Sequence, residues 1–179
     1  MDNMGEGVTM IVGERIQLRK VEEEDLDLIV KWRNDPEILR WLFSYLPLSH
    51  PKQKKWYEKY VEDDTQEIFV IEMKEKTPVG TVGLSNIDHR NQKAELGILI
   101  DKNWQKKGIG KEALELLIDL AWSEMNMRKI KALVFEENEA AIKLYKSCGF
   151  VEEGVLKKEA YKDGEFKDVV VMALLRGVE

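Results

Sequence analysis

Apolar and polar residues change their spacing several times along the chain, and each change marks an element. Arg15-Ile-Gln-Leu-Arg19 alternates polar and apolar positions, the period of a half-buried strand. From Glu22 onward Leu26, Ile29, Val30 and Trp32 fall at helical spacing, and Pro36 after Asp35 ends that helix and starts another. The pattern predicts helices over 22–34 and 36–43. Pro51 opens a further amphipathic helix, with Trp56, Tyr57, Tyr60 and Val61 on one stripe before the acidic Glu62-Asp63-Asp64. At Glu67 the period shortens. Ile68–Met73 and Val79–Leu84, joined by a turn at Glu75–Pro78, read as a hairpin, and Ala94–Ile100 reads as a third strand. Lys111–Met125 sets Leu114, Leu117, Ile118, Ala121 and Met125 on one helical face, and Lys131–Phe135 reads as a buried strand, completing a strand–helix–strand crossover. Asn138 caps a helix running to Cys148 with Gly149 as its stop. The chain closes on a hairpin around Lys162-Asp163-Gly164-Glu165.

This order is mixed α/β with no internal repeat, and 179 residues suit one domain over 1–179, residues 1–12 being a loose extension. No apolar run approaches the roughly 20 residues that span a bilayer, and the start is acidic where a secretory signal is basic and then apolar. A cytoplasmic protein without membrane contact is expected. Cys148 is the single cysteine, which excludes an internal disulfide and a cysteine-based zinc cage. His50 and His89 have no clustered ligands around them, so no metal is expected. With no base near it in sequence, Cys148 reads as a buried helix-end residue and not a nucleophile. The formal net charge is −6, with Lys and Arg scattered among acids. That argues against a nucleic-acid partner and mildly for a cationic small substrate.

Chemistry concentrates after the third strand. Lys102-Asn-Trp-Gln-Lys-Lys-Gly-Ile-Gly-Lys111 leads from that strand into a helix, and the free N–H groups and positive dipole end of a helix start form an anion site. Gly108 and Gly110 allow close backbone approach to phosphate oxygens, and Lys106, Lys107 and Lys111 add positive charge. The two glycines alone fit an ordinary turn as well. Gly108-Ile-Gly-Lys-Glu-Ala113 also meets the glycine pattern of dinucleotide-binding folds, with Glu136 as a ribose partner. In that motif, however, the glycines follow their strand almost at once and open a long parallel series, and here neither holds. A Walker A loop is excluded because its first glycine and its Ser/Thr are missing.

Gln105-Lys-Lys-Gly-Ile-Gly110 resembles the Q/R-x-x-G-x-G/A signature of the GNAT acetyltransferases. Downstream, Asn138-Glu-Ala-Ala-Ile-Lys-Leu-Tyr145 and Cys148-Gly149-Phe150 resemble the N-x-x-A-x-x-x-Y…G-F segment of the same superfamily. Leu18-Arg19, Trp32-Arg33-Asn34 and Ala94-Glu95-Leu96-Gly97 resemble its branch of ribosomal-protein N-terminal, spermidine and amino-sugar-nucleotide acetyltransferases. The likeness runs from about Arg15 to the end. It implies a mixed, mostly antiparallel twisted sheet of about seven strands with helices on both faces. It implies acetyl-coenzyme A as cosubstrate, held by Ile98, Leu99, Ile100, Gln105, Lys106, Lys107, Gly108, Ile109, Gly110, Lys111, Asn138 and Ala141. It also implies a homodimer, for which the C-terminal strands or the Trp56–Tyr60 face offer an interface.

An alkylamine acceptor, mostly protonated at neutral pH, must lose a proton before attacking a thioester. Glu95 stands where the family often carries a base, although alternation alone also places a solvent-facing residue there. Tyr145 matches the family's acid position for the leaving thiolate and otherwise reads as a core aromatic. A backbone N–H near Ile98–Ile100 is the implied oxyanion donor. Trp32, Arg33, Asn34, Glu37, Trp41 and Tyr45 fall where this branch builds its acceptor pocket, with polyamine, protein N-terminal amine and amino sugar as acceptor classes in that order. Trp32 and Trp41 at helical spacing equally suit a core, and Glu37 and Glu67 equally suit a solvated surface. An acetyl-CoA-binding regulatory module that has lost catalysis is the alternative, and it would not depend on Glu95 or Tyr145.

Overall fold

The computed structural model describes residues 10–177. Its strands are β1 (Met10–Val12), β2 (Ile16–Lys20), β3 (Glu67–Met73), β4 (Pro78–Asp88), β5 (Lys93–Ile100), β6 (Lys129–Phe135), β7 (Val151–Lys162) and β8 (Glu165–Leu175). Its helices are α1 (Leu26–Asn34), α2 (Pro36–Leu39), α3 (His50–Tyr60), α4 (Ile109–Ser123) and α5 (Glu139–Ser147). The strands form one sheet in the order β1-β2-β3-β4-β5-β6-β8-β7. Every neighbouring pair is antiparallel except β5 and β6. The extra strand relative to expectation is β1, which pairs Met10–Val12 with Gln17–Arg19 inside the segment read as loose. Three residues are too few to show a period. The remainder of that extension, residues 1–9, lies outside the described residues.

Burial on consecutive positions shows why helices cover both faces of the sheet. Phe69, Val70, Ile71 and Glu72 of β3 are all buried, so neither face of that strand is left to water. Phe69 and Ile71 join Ile16, Leu18 and the inward stripe of α4, including Ala113, Leu114 and Leu117. Val70 joins Leu26, Ile29 and Trp32 of α1 on the other face. Each of the large side chains in these stripes contributes about 1.5–3 kcal/mol by leaving water. No helix among the described residues is long and apolar enough to cross a membrane.

A buried charge network fixes the entry to α1. Arg19 donates two hydrogen bonds to Asp25, at 2.7 and 2.8 Å, and one to Glu72 at 2.8 Å. Burial alone would raise the Asp25 carboxyl, but the hydrogen bonds from Arg19 and the Glu22 amide outweigh it and hold it below its ordinary value. Asp35 then caps α2 through the Glu37 amide, and Pro36 occupies its first turn. This helix stops at Leu39, short of the expected 43.

Candidate active site

The central feature is a place where the sheet comes apart. β5 and β6 share only the rungs Lys93↔Lys129, Ala94↔Ile130 and Glu95↔Lys131. β5 nevertheless stays paired with β4 out to Gly80↔Ile100, and β6 with β8 out to Phe135↔Val169. Beyond Glu95 the two strands therefore diverge, and the β6-facing edge of Leu96–Ile100 has no ladder partner. A cavity of about 560 Å³ occupies the gap, lined by β5, β6, α5, the loop before α4 and the stretch after α2. Gly97 keeps its β5 wall open, for a Cβ there would meet no protein atom within 4 Å.

At the mouth of α4 the backbone supplies donors. Gly108 begins the helix at φ +79° and offers no side-chain cap, so the first-turn N–H groups of Ile109, Gly110 and Lys111 have no intrahelical acceptor. The loop is braced from β2. Arg15 donates through Nη1 to the Lys107 carbonyl at 2.8 Å, while its Nε and its main-chain N–H donate to Glu112 at 3.0 and 2.8 Å. Gln105 Nε2 donates to the Ile100 carbonyl at 3.0 Å, tying the loop to the end of β5. Gly108 has a second reason to be glycine, since a Cβ would come within 3.0 Å of the Arg15 guanidinium. Gly110 is set by packing as much as by any ligand: its Cβ would stand 3.2 Å from Leu144 of α5.

Two further titratable groups on the cavity come from β5 and α5. Glu95 lines the cavity, accepts from Asn86 Nδ2 at 3.1 Å and stands 4.0 Å from Lys131 Nζ. Asn86 reaches it from an irregularity in β4, where its own φ is +49° and the register with β5 shifts. Such a bulge re-aims a side chain without breaking the strand. Tyr145 is 4% exposed, packs on Phe150 at a centroid distance of 5.4 Å, and lines the same cavity. Burial pushes its phenol far above the ordinary value of 10.0, so the hydroxyl is protonated at every physiological pH. Burial likewise pushes the Cys148 thiol up, which suits an inert residue. Asn138 caps α5 by accepting from the Ala141 amide at 3.2 Å, and it also faces the cavity.

A family model described as an acetyltransferase (GNAT) domain matches residues 15–151. The chain belongs to the GNAT acetyltransferases. It is 32% identical to the spermidine N(1)-acetyltransferase of Vibrio cholerae over 92% of this chain and 95% of that protein. It is 34% identical to an uncharacterised N-acetyltransferase, p20, of Bacillus licheniformis, over 91% of this chain and 94% of that one. In three dimensions it is similar to the Vibrio cholerae spermidine N-acetyltransferase in complex with CoA and spermine, with a TM-score of 0.88 covering 92% of this chain and 97% of that one.

Among the residues that the GNAT resemblance assigned to the cosubstrate, all line the cavity except Lys107 and Ile109. Ile109 is 2% exposed in the core, and the Lys107 ammonium lies over the Trp104 ring at 4.8 Å. The assigned acceptor residues disperse. Trp41 alone among them lines this cavity. Trp32 is 3% exposed and donates through Nε1 to Asp101 at 2.8 Å, and Asn34 clamps both main-chain groups of Leu48. Their polar atoms are thus taken up by structure. Arg33 is part-buried beside Ser44 Oγ at 3.5 Å, Glu37 pairs with Lys102 at 3.5 Å, and Tyr45 lines a separate depression with Tyr161. Glu67 pairs with Lys20. At one helical spacing, Trp32 falls in the core and Trp41 on the cavity.

Other cavity-lining residues had escaped the sequence reading: Ile38 from α2, Leu42 and Phe43 from the stretch after it, Ser85 from β4, and Leu133 from β6. Arg15 and Glu112 were also missed as the braces of the phosphate-type loop. No short-range pattern joins two residues so far apart, although an acid in the first turn of a helix is itself a common signal.

Proposed function

We propose that this acetyltransferase moves the acetyl group of acetyl-coenzyme A directly onto a primary amine of a polyamine such as spermidine. The observation that carries the reading is the parting of β5 from β6. It opens one continuous cavity between an anion-type loop at the start of α4 and a carboxylate and phenol on β5 and α5. The free first-turn amides of α4, with Lys106 and Lys111 beside them, suit a pyrophosphate, and the unpaired edge of β5 suits an extended amide-bearing arm. The polyamine class is supported by the Vibrio cholerae relative and by its likeness in complex with CoA and spermine, and the net charge of −6 accords with a cationic acceptor.

Acetyl-coenzyme A supplies a thioester carbon open to attack by an amine. Glu95 takes the ammonium proton, directly or through water, while Asn86 and Lys131 hold its carboxylate in place. An N–H on the free edge within Ile98–Ile100 donates to the oxygen on which charge develops. Tyr145 presents a protonated hydroxyl to the departing sulfur. Burial disfavours its phenolate, so the proton it gives to sulfur as the C–S bond breaks is replaced by the one the attacking nitrogen sheds, leaving thiol, amide and neutral Tyr145. The direct route needs no acyl-enzyme, and the raised Cys148 thiol accords with that.

The same reading includes a cytoplasmic homodimer. Val151, Leu156, Tyr161 and Phe166 on the C-terminal hairpin are exposed apolar side chains that suit such an interface.

The test is thiol release from acetyl-CoA across spermidine, diamines, amino sugars and N-terminal peptides. Saturable release with polyamines is the expected result. Release with only another class would move the assignment to that class. Coenzyme binding without turnover on any of them would favour the regulatory module.

A further inference from the structure

Lys162, the last residue of β7, is 7% exposed. A buried ammonium requires partners, ordinarily a carboxylate. Lys162 instead donates to three main-chain carbonyls, those of Leu39 at 2.9 Å, Leu42 at 2.9 Å and Ser44 at 2.7 Å. An ammonium has three donors, so this set uses all of them. The acceptors lie in one short stretch more than a hundred residues away in sequence. Leu39 ends α2, where carbonyls lack intrahelical donors and a positive charge is favourable.

That stretch forms a wall of the cavity through Trp41, Leu42 and Phe43, next to Ile38 of α2. Its own backbone bonds continue from α2 as a short series of turns, from Leu39 to Asp35, Arg40 to Pro36, Trp41 to Ile38 and Leu42 to Leu39, and end there, with no backbone bond from the Phe43 or Ser44 amide among the described residues. Phe43 rests on Phe135 at 4.8 Å yet stays 47% exposed. The hairpin is the firmer body: β7 and β8 are paired on both sides of the Asp163-Gly164 turn, whose φ values of +52° and +87° fit a tight two-residue connection.

We propose that Lys162 is a positioning residue that fastens the Leu39–Ser44 wall to the C-terminal hairpin and thereby sets the shape of the acceptor end of the cavity. The identification of that end as the acceptor's rests on the function proposed above; the fastening does not. Removing the ammonium strands the Leu42 and Ser44 carbonyls and leaves Leu39 with only its turn bond from the Leu42 amide, and the stretch is then free to reorganise. The acceptor should feel this before the coenzyme, since the first turn of α4 and the Arg15–Glu112 brace lie outside the fastened segment.

The experiment compares wild type with Lys162→Met, which keeps the stem, and Lys162→Arg, which keeps several donors. Amide hydrogen exchange over residues 39–44 needs no substrate. It should quicken by about tenfold or more in Lys162→Met, be largely restored in Lys162→Arg, and stay unchanged at the start of α4. With spermidine as acceptor, KM should rise by about tenfold in Lys162→Met while the acetyl-CoA Kd stays within about twofold. Unchanged exchange over 39–44, or an equal loosening of the whole domain, overturns the proposal. Should Lys162→Met fail to fold, Lys162→Gln takes its place under the same criteria. If wild type acetylates no polyamine, the acceptor reading fails separately, and the exchange result still decides the fastening.

Discussion

Arg15 and Glu112 are joined at two points: the main-chain N–H of Arg15 donates to one oxygen of the carboxylate at 2.8 Å and its Nε to the other at 3.0 Å. An Nη1 N–H of the same guanidinium holds the Lys107 carbonyl. The turn that presents the free amides of α4 is thereby fixed to β2, in a part of the chain that carries none of the loop's own sequence pattern. Arg15→Ala should weaken acetyl-CoA binding by about tenfold, the effect of losing a charge-assisted hydrogen bond. Calorimetric titration checks this, and an unchanged Kd would remove Arg15 from the account.

The same carboxylate makes acid stability testable. Burial alone would raise Glu112, but the amides of Arg15 and Ile16 and the Arg15 guanidinium outweigh it and hold the group below its ordinary 4.5. A depressed carboxyl stabilises the fold fully above its unfolded value, and that contribution is lost as pH falls through the lower folded value. Asp25 has the same sign, from an ordinary 3.8. Wild type should therefore lose stability below about pH 4.5, and Glu112→Gln should be weaker at neutral pH with a shallower acid decline. Urea midpoints at a series of pH values check it, and parallel curves for the two proteins would contradict it.

Gly108 and Gly97 should fail differently. Gly108→Ala places a Cβ at positive φ and against Arg15, which should lower stability by about 1 kcal/mol and weaken coenzyme binding with it. Gly97→Val adds bulk where no protein atom lies within 4 Å. It should leave the melting temperature nearly unchanged and reduce cavity occupancy. Thermal melts paired with calorimetry separate the two.

Tyr145→Phe should lower kcat by about a hundredfold while leaving the acetyl-CoA Kd within about twofold, because the ring packing survives and only the donor is lost. Steady-state kinetics and calorimetry check the split, and equal losses of both would contradict the assigned role.

The elements were legible wherever one face met the core and the other met water. The alternation of Arg15–Arg19 and the inward stripe of α4 appear in the sequence as they do in the fold. The turn before β8 was legible from its Asp-Gly pair. The edge strand β1 was not, being three residues long, nor was the early end of α2, whose last carbonyl accepts from the distant Lys162 ammonium. The anion-type loop was legible because glycines, lysines and a helix start lie next to one another. The cavity wall after α2 was not, because Trp32 and Trp41 share a spacing that cannot tell a core residue bonded to Asp101 from one facing the cavity.

The most direct measurement is thiol release with acetyl-CoA and spermidine, each varied against the other. The account predicts saturation in both substrates, with turnover abolished or strongly reduced in Glu95→Gln and Tyr145→Phe while both variants still bind the coenzyme. Full turnover in either variant would contradict the chemistry assigned to the parted strands, and a wild-type protein that does not bind acetyl-CoA would contradict the account as a whole.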